Sequence, residues 1–422
     1  MPMLRPTDEM KESGDKYIGQ IPDNWRMAKY KYFAQSGMGQ TILKTDTSDK
    51  GVPIYSATQD ASIFGYLQAP NLVLHYGDIV IPARGNSIGF PTFINDDLAT
   101  CTQTTIYSKI KGINPKFLYY CCIGLKDEWF YYVQTAIPQI TVTQVQNNSV
   151  PLPPLAEQQA IADYLDDRCS KIDEIIAEAT ASIEEYKELK QAVIFETVTK
   201  GLDKTVPMKD SGVECIGSIP CEWHICKVKN IASYVSDGAH VSPDTDNGEY
   251  CFISTVNLKN GVLDFENCLQ TSKESYYQLM RNGCRPQKND VLISKDGTVG
   301  KTAVVDYDRE FVVASSLVII RPILSVMNPY YLQYNLRSNF VQERLQLLMH
   351  GAGLKRVSVA KNANLPVIVP SLEEQNAIVR YLDKKIKAID SLISEKQALI
   401  EDLQAYKKSL IYEVVTGKRR VV

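Results

Sequence analysis

The segment Met10-Lys11-Glu12-Ser13-Gly14-Asp15-Lys16-Tyr17-Ile18-Gly19-Gln20-Ile21-Pro22-Asp23-Asn24-Trp25 occurs twice in this chain. It returns 198 residues later as Met208-Lys209-Asp210-Ser211-Gly212-Val213-Glu214-Cys215-Ile216-Gly217-Ser218-Ile219-Pro220-Cys221-Glu222-Trp223, with nine of sixteen positions identical. A second echo, shifted by 217 residues, pairs Leu155-Ala156-Glu157-Gln158-Gln159-Ala160-Ile161 with Leu372-Glu373-Glu374-Gln375-Asn376-Ala377-Ile378 and stays in register to Thr199 and Thr416. The chain is two copies of a globular-then-helical unit. A duplicated unit implies a pseudo-twofold molecule, and two similar heads suit a ligand with two similar half-sites. DNA is the obvious such ligand.

Segments 155–199 and 372–416 contain neither Gly nor Pro and carry a narrow heptad seam. In the first it runs through Ala162, Cys169, Ile176, Ile183 and Lys190, alternating with Leu165, Ile172, Ala179, Tyr186 and Val193. In the second it runs through Val379, Ile386, Ile393, Ile400 and Lys407, alternating with Leu382, Ile389, Lys396, Leu403 and Leu410. Such a seam, held for about six heptads, predicts coiled-coil helices rather than globular surface helices. Pro153-Pro154 precede the first, and Gly201 and Gly417 close the two, as helix-end chemistry requires. Each helix needs a partner, and connectivity predicts that the two pair antiparallel. At about 1.5 Å per residue each spans roughly 65–70 Å, long enough for a spacer. Lys190 and Lys407 recur at one seam position, where the seam is expected to fray; a registering or docking role is the alternative.

The resulting fold class is α+β, with two mixed α/β heads separated by two long helices in an antiparallel coiled coil and a pseudo-twofold internal repeat. The boundaries read as a first head at 1–152, a helix at 153–201, a second head at 202–369, and a helix with a basic tail at 370–422. An apolar content of 44% with 23% charged residues excludes a disordered or fibrous chain. No apolar run reaches spanning length and the N-terminus is polar, so a cytoplasmic protein without membrane association is expected. Ten cysteines without CxxC pairs point to reduced thiols, and four scattered histidines give a metal cluster nothing to rest on. The net charge of −3 looks unsuited to DNA until it is divided. Residues 155–199 hold eleven acidic against four basic residues and 372–416 hold eight against seven, leaving the remainder mildly basic. Partners would then supply much of the phosphate neutralisation.

The heads are rich in β-branched and aromatic residues broken by Gly, Pro, Asn and Asp, as mixed strands and turns require. Gly77-Asp78-Ile79-Val80-Ile81 matches Asn289-Asp290-Val291-Leu292-Ile293, each a strand ending in a polar Gly turn. Those turns are Arg84–Gly89 and Lys295–Lys301. Asn114-Pro115 and Asn328-Pro329 each read as a helix start. The scaffold repeats while the polar loop residues differ, which fits two different short sequences read with one architecture. Arg and Lys suit guanine, and Asn and Gln suit adenine. The candidates for base contact are Lys44, Ser56, Arg84, Asn86, Gln103 and Gln139 in the first head. In the second they are His240, Ser254, Lys295, Thr298, Lys301, Lys355 and Arg356. Any one alone reads as an ordinary solvated loop residue; as sets, the two Gly turns stand out. Trp25 and Trp223 are expected to cap each head's core where it meets the helices.

Three motifs are decoys. Asn328-Pro329-Tyr330-Tyr331 lacks the second proline of the Asn-Pro-Pro-Tyr motif of amino-methyltransferases, and no Gly-rich cofactor loop precedes it. Gly297–Thr302 ends like a phosphate loop, but the first glycine that motif needs falls at Lys295. Glu185-Tyr186-Lys187 lies on the predicted coiled coil, where it cannot converge with distant carboxylates as a nuclease requires. No catalytic residue or metal ligand is predicted.

On these residues the chain resembles the specificity subunits of type I restriction–modification systems. The likeness rests on Ser13–Trp25 and its copy Ser211–Trp223. It rests also on Pro151-Leu152-Pro153-Pro154-Leu155-Ala156-Glu157-Gln158-Gln159-Ala160-Ile161 and its copy at 369–378, and on Asp237-Gly238-Ala239-His240…Pro243. Tyr17 and Cys215 depart from the family's frequent second tryptophan. The first head lacks a clear Asp-Gly-x-His, so no role of His240 carries over to it. The resemblance implies two target recognition domains, each reading half of a bipartite asymmetric site in double-stranded DNA. It implies spacer helices that set the unread gap and dock two methyltransferase subunits, and restriction–translocase subunits that complete the assembly. S-adenosylmethionine, ATP and Mg would belong to those partners, with none held by this chain, which would be non-catalytic alone. The competing readings are a self-sufficient DNA-modifying enzyme and a coiled-coil adaptor without base readout.

Overall fold

The computed structural model describes residues 3–60, 62–130, 139–245, 248–350 and 355–421. The chain forms two compact units, Met1–Thr180 with Gln397–Val422, and Ala181–Lys396. Two long helices, α4 (Leu155–Lys200) and α10 (Leu372–Val415), each contribute one part to either unit.

Unit 1 opens with the hairpin β1 (Met10–Glu12) and β2 (Gln20–Pro22), followed by β3 (Arg26–Lys29) and β4 (Ala34–Met38). Next come β5 (Val52–Tyr55), β6 (Ile63–Leu67), β7 (Ile79–Pro82), β8 (Thr92–Phe93), β9 (Thr100–Cys101) and β10 (Thr105–Ile110). Helices α1 (Pro115–Gly124), α2 (Lys126–Trp129) and α3 (Val142–Asn147) and strand β11 (Ser149–Leu152) lead into α4. One sheet has the order β4-β10-β7-β8, all antiparallel; a second, β6-β5-β9, contains a parallel β5–β9 pair. Strand β7 is buried on both faces, and its side chains alternate between two cores as period-2 geometry demands. Ile79 and Ile81 join the core with Phe117, Leu118, Leu165, Ile172, Leu410 and Val414. Val80 faces a smaller core with Tyr55, Leu74 and Cys101.

Unit 2 repeats the plan. The hairpin β12 (Met208–Asp210) and β13 (Ser218–Pro220) is followed by β14 (His224–Lys227), α5 (Val228–Ile231), β15 (Ala232–Asp237) and β16 (Tyr250–Ile253). A small hairpin, β17 (Leu258–Lys259) and β18 (Val262–Leu263), precedes β19 (Leu269–Thr271) and α6 (Lys273–Arg281). Then follow β20 (Val291–Ser294), β21 (Thr302–Val304), β22 (Phe311–Val313) and β23 (Leu317–Pro322). Helices α7 (Pro329–Arg337), α8 (Asn339–Leu348) and α9 (Val359–Ala363) and strand β24 (Pro366–Val369) complete the unit before α10. The sheets β15-β23-β20-β21 and β19-β16-β22 correspond to those of unit 1, down to the parallel β16–β22 pair. Val291 and Ile293 of β20 pack with Ile194, Val198, Ile378 and Leu382, whereas Leu292 faces a second core.

Within each unit the helix segments run antiparallel. In unit 1 the Trp25 Nε1–H donates to Glu157 Oε2 at 3.0 Å, and the same indole packs on Gly417; further along, Lys407 pairs with Asp173 at 2.6 Å. In unit 2 the Trp223 Nε1–H donates to Glu374 Oε1 at 3.1 Å and its ring packs on Gly201, while Lys190 pairs with Asp390 at 2.6 Å. The seam lysines are therefore not where the seam frays. Each reaches across to the partner helix and marks its register. Gly201 and Gly417 hold φ of 73° and 72°, and a side chain at 417 would stand 2.4 Å from the Pro22 ring. The left-handed conformation and the close approach both require glycine there.

Asn114 and Asn328 are helix caps: the Asn114 Oδ1 accepts from Phe117 N–H, and the Asn328 Oδ1 from Tyr330 and Tyr331 N–H. Their own N–H groups donate to Gln158 and Gln375 of the long helices. The Asn-Pro repeat is thus a device that joins each head to its helix.

Two outcomes follow for stability. Glu374→Ala leaves the buried Trp223 N–H without an acceptor and should destabilise the protein by about 1–3 kcal/mol, read by urea unfolding. A double-mutant cycle on Lys190 and Asp390 should give a coupling of about 0.2–1 kcal/mol that weakens with salt, since the Asp390 side chain is 46% exposed.

Candidate nucleic-acid interface

In unit 1 the strands β4, β5, β7 and β9 end, and β10 begins, at one edge of the two sheets. Backbone hydrogen bonds hold the loops there together: Thr102 N–H donates to the Tyr55 carbonyl at 3.0 Å, Ala83 N–H to Thr104 at 2.9 Å, and Ile140 N–H to Ala83 at 3.0 Å. Half-buried Ser56 follows β5 directly. The Gln103 Oε1 accepts from Ile42 N–H at 3.3 Å, tying in the loop that carries exposed Lys44. The Gln59 Nε2 donates to the carbonyl of exposed Asn86 at 3.1 Å. Arg84 and Gln139, both exposed, are bridged strand-like to each other. All six candidates of the first head lie on this one linked set of loops.

Unit 2 builds the same edge from the ends of β15, β16, β20 and β22. Ser254 stands after β16 as Ser56 stands after β5, and the bridge Asp296–Arg356 takes the place of Arg84–Gln139. Here the polar residues form an ion network. The carboxylate of Asp237 receives His240 Nε2 at 2.8 Å and Lys295 Nζ at 3.6 Å. Lys295 also pairs with Asp296 at 3.0 Å, and Asp296 with Arg356 Nε at 3.7 Å. Lys295 is buried at the centre of this network, its ammonium directed at two carboxylates. The outward-facing members are His240 and Arg356, whose side chains are 69% and 66% exposed. Lys355 and Thr298 are exposed beside them, and the Lys355 carbonyl accepts from Gly297 N–H at 3.1 Å.

Lys301 is set apart. It leaves the turn toward a cleft lined also by Gln191, Gly261 and Arg337. The turn itself is closed from inside: the Ser294 hydroxyl donates to the Thr298 carbonyl at 2.6 Å and accepts from Lys301 N–H at 2.9 Å. Gly300 N–H is bonded to the Ser294 carbonyl. A phosphate loop presents such amides to its ligand; here they bond within the turn.

The structure also supplies the missing counterpart of Asp237-Gly238-Ala239-His240. A Cβ on Gly238 would lie 2.2 Å from the Val313 carbonyl oxygen, and one on Gly39 would lie 2.2 Å from that of Thr102. The bridges Ala239–Ala314 and Gln40–Thr102 are both parallel. Met38-Gly39-Gln40-Thr41 therefore occupies this place in unit 1, and its one sequence signal was the glycine. The Gln40 amide oxygen accepts from Asn71 and Leu72 N–H, at 3.0 and 3.1 Å, and positions that loop. Exposed Thr41 stands where unit 2 has His240.

Among the described residues no group of His, Cys, Asp and Glu has the arrangement of a metal site, and no helix is long and apolar enough to cross a membrane. Comparison with known proteins gives a consistent result. The model of the type I restriction modification DNA specificity domain matches twice, over residues 22–185 and 220–402. The type I restriction enzyme MjaVIII specificity subunit of Methanocaldococcus jannaschii is 23% identical over 420 residues, covering 95% of this chain and 94% of the relative. The EcoBI specificity subunit of Escherichia coli is 25% identical over 291 residues, covering 67% of this chain and 60% of that protein. A chain solved in work on complex assembly and conformational transition of the type I R-M system shares the fold, with a TM-score of 0.70 at 17% identity and coverage of 94% and 99%. Two domain matches on a twice-built loop edge place this chain in the type I restriction–modification DNA specificity family, as a specificity subunit.

Proposed function

We propose that each unit is a target recognition domain that reads one half of a bipartite DNA site with its loop edge. The observation that carries this reading is one loop edge built twice on one scaffold with different polar residues. Arg84 and Gln139 hold the bridge positions in unit 1, and Asp296 and Arg356 hold them in unit 2. A structural requirement would repeat the residues along with the backbone. Different donors on a constant frame instead suit two different half-sites in a major groove, where each base pair shows its own pattern. In unit 2 the Asp237–Lys295–Asp296 chain, with Lys295 buried between two half-buried carboxylates, restricts the rotamers of His240 and Arg356. Groups held before binding lose less side-chain entropy on contact.

The chain in this reading is non-catalytic alone. Its long helices dock two methyltransferase subunits and set the unread gap, and restriction–translocase subunits join them. S-adenosylmethionine, ATP and Mg bind in those partners, where the target adenine is flipped and methylated. The acidic bias of segment 155–199, with eleven acidic residues against four basic, supports a protein-docking role for the helices rather than phosphate contact.

The decisive experiment exchanges residues 26–150 with the matching segment of another specificity subunit and maps methylated adenines. Half of the recognised site should change and the other half persist; an unchanged site would leave a coiled-coil adaptor without base readout. Arg84→Ala and Arg356→Ala should each weaken site-specific methylation by roughly 1–3 kcal/mol and relax the specificity of one half-site. Methylation at the wild-type rate and sequence would remove these two side chains from the readout.

A further inference from the structure

The cleft reached by Lys301 has a volume of about 580 Å³ and lies wholly in unit 2, between the β17–β18 hairpin, the start of β21, the α7–α8 junction and Gln191 of α4. Its charged lining residues, Lys259, Lys301 and Arg337, are all cationic. Lys259 is matched by Asp264 at 2.5 Å. The other two have no ion pair. Among the described residues neither Lys301 nor Arg337 has a carboxylate within ion-pair distance, and the Arg337 guanidinium has no hydrogen-bond acceptor. It lies over the Tyr334 ring, 5.7 Å to the centroid, and feels the charge of Asp390, which is itself paired with Lys190. Burial lowers the Arg337 pKa, from so high a starting value that the cation persists at neutral pH. Thr302, which also lines the cleft, is 4% exposed, and its hydroxyl has no partner; the amide oxygen of Gln191 has none either. Buried polar groups are as a rule hydrogen-bonded, so two buried polar atoms without partners, beside an exposed lysine and a half-buried arginine that have no ion pair, call for a ligand.

The scaffold does not need this arrangement. In unit 1 the corresponding positions hold Ile123, Phe90 and Pro91 in place of Arg337, Lys301 and Thr302, and Lys408 in place of Gln191. There Lys126 lies over the Phe90 ring at 4.2 Å, and Lys408 pairs with Asp127 at 2.6 Å. The cationic cleft is thus particular to unit 2.

We propose that this cleft is an anion pocket that seats one phosphodiester of a DNA strand passing the readout edge. The inference rests on the reading of unit 2 as a DNA-recognition domain. Arg337 offers a planar fork of donors to two phosphate oxygens, and Lys301 adds a point charge. The Thr302 hydroxyl and the Gln191 amide, which can turn either end to a ligand, serve the remaining oxygens. Since Lys301 ends the 295–301 turn, a strand held here has its register set against His240 and Arg356. Phosphates are alike at every step, so the pocket positions the duplex without reading it. Lys301 accordingly belongs to backbone contact rather than to base readout.

The test uses the chain assembled with its methyltransferase partners and compares wild type, Lys301→Gln with Arg337→Gln, and Lys301→Gln with Arg337→Lys. Affinity for the cognate and a scrambled duplex is measured from low to high salt. Inorganic phosphate is titrated separately at constant ionic strength while thermal melting is followed. In the double Gln variant both duplexes should lose affinity roughly tenfold, and the slope of log affinity against log salt should become shallower by about one. The Arg337→Lys variant should recover part of the slope. Melting of all three proteins should be unmoved by phosphate at a few millimolar. An unchanged slope overturns the proposal. So does a loss confined to the cognate duplex, which would make these residues base readers, or a failure to assemble with the partners, which would make the cleft a protein-docking site. A saturable phosphate-dependent rise in melting, lost in the double Gln variant with the slope unchanged, assigns the pocket to a free phosphoryl ligand and overturns the DNA assignment. If wild type itself shows no preference for the cognate duplex, the DNA-recognition reading fails instead.

Discussion

Each unit depends on a helix seam that cannot stay in water. The seam residues Leu165, Cys169 and Ile172 in unit 1, and Leu382 and Ile386 in unit 2, are 0–6% exposed, while the positions between them carry charge. A long helix with one apolar stripe lowers its free energy by burying that stripe, at roughly 25 cal/mol per Å² of apolar surface removed from water. In each unit an antiparallel partner segment and the adjoining head cover it. The seam and the sheet share one continuous core: Ile79 and Ile81 of β7 belong to the same cluster as Leu165 and Leu410. A head is therefore not simply appended to a helix, since the helix forms part of its interior.

That shared core explains the repeated polar devices. Trp25 with Glu157 and Trp223 with Glu374 fasten the repeated N-terminal motif to the first turn of the following helix. Asn114 with Gln158 and Asn328 with Gln375 fasten the helix start of each head to the same turn. Lys407–Asp173 and Lys190–Asp390 mark helix register. An apolar seam tolerates sliding by one heptad, whereas a directional hydrogen bond or a matched charge pair does not. These contacts recur in both units because both must solve the same mechanical problem. The loop edges face no such demand, and there the units diverge. The residual chemistry collects at those edges: an ion network about Lys295 in unit 2, a Gln-rich set with Lys44 and Arg84 in unit 1, and a cationic cleft beside the edge of unit 2.

Much of the scaffold was legible because its signals are periodic or repeated. A heptad seam without Gly or Pro specifies long paired helices from local geometry alone, and a 217-residue echo says there are two. The strand Ile79-Val80-Ile81 and its copy Val291-Leu292-Ile293 showed as short apolar runs, each ending in a polar Gly turn. The Asn-Pro helix starts followed from capping chemistry. Less was legible where geometry depends on contacts between distant loops. Met38-Gly39-Gln40-Thr41 matches Asp237-Gly238-Ala239-His240 through a backbone approach that admits glycine alone, a constraint invisible without the facing carbonyl. Lys295 and Lys301, six residues apart on one turn, were alike in sequence. One is buried between two carboxylates, and the other opens into a cleft.

The amino-acid order by itself determined the duplication, the paired long helices, the helix caps and the set of loops that vary, because each follows from spacing and from interactions within a few residues. Tertiary structure decided which of the variable polar residues are matched and which are left facing outward. Ion pairs such as Lys295–Asp237 and cations without an ion pair such as Arg337 depend on atoms brought together across dozens of residues, by a core whose packing no local pattern encodes.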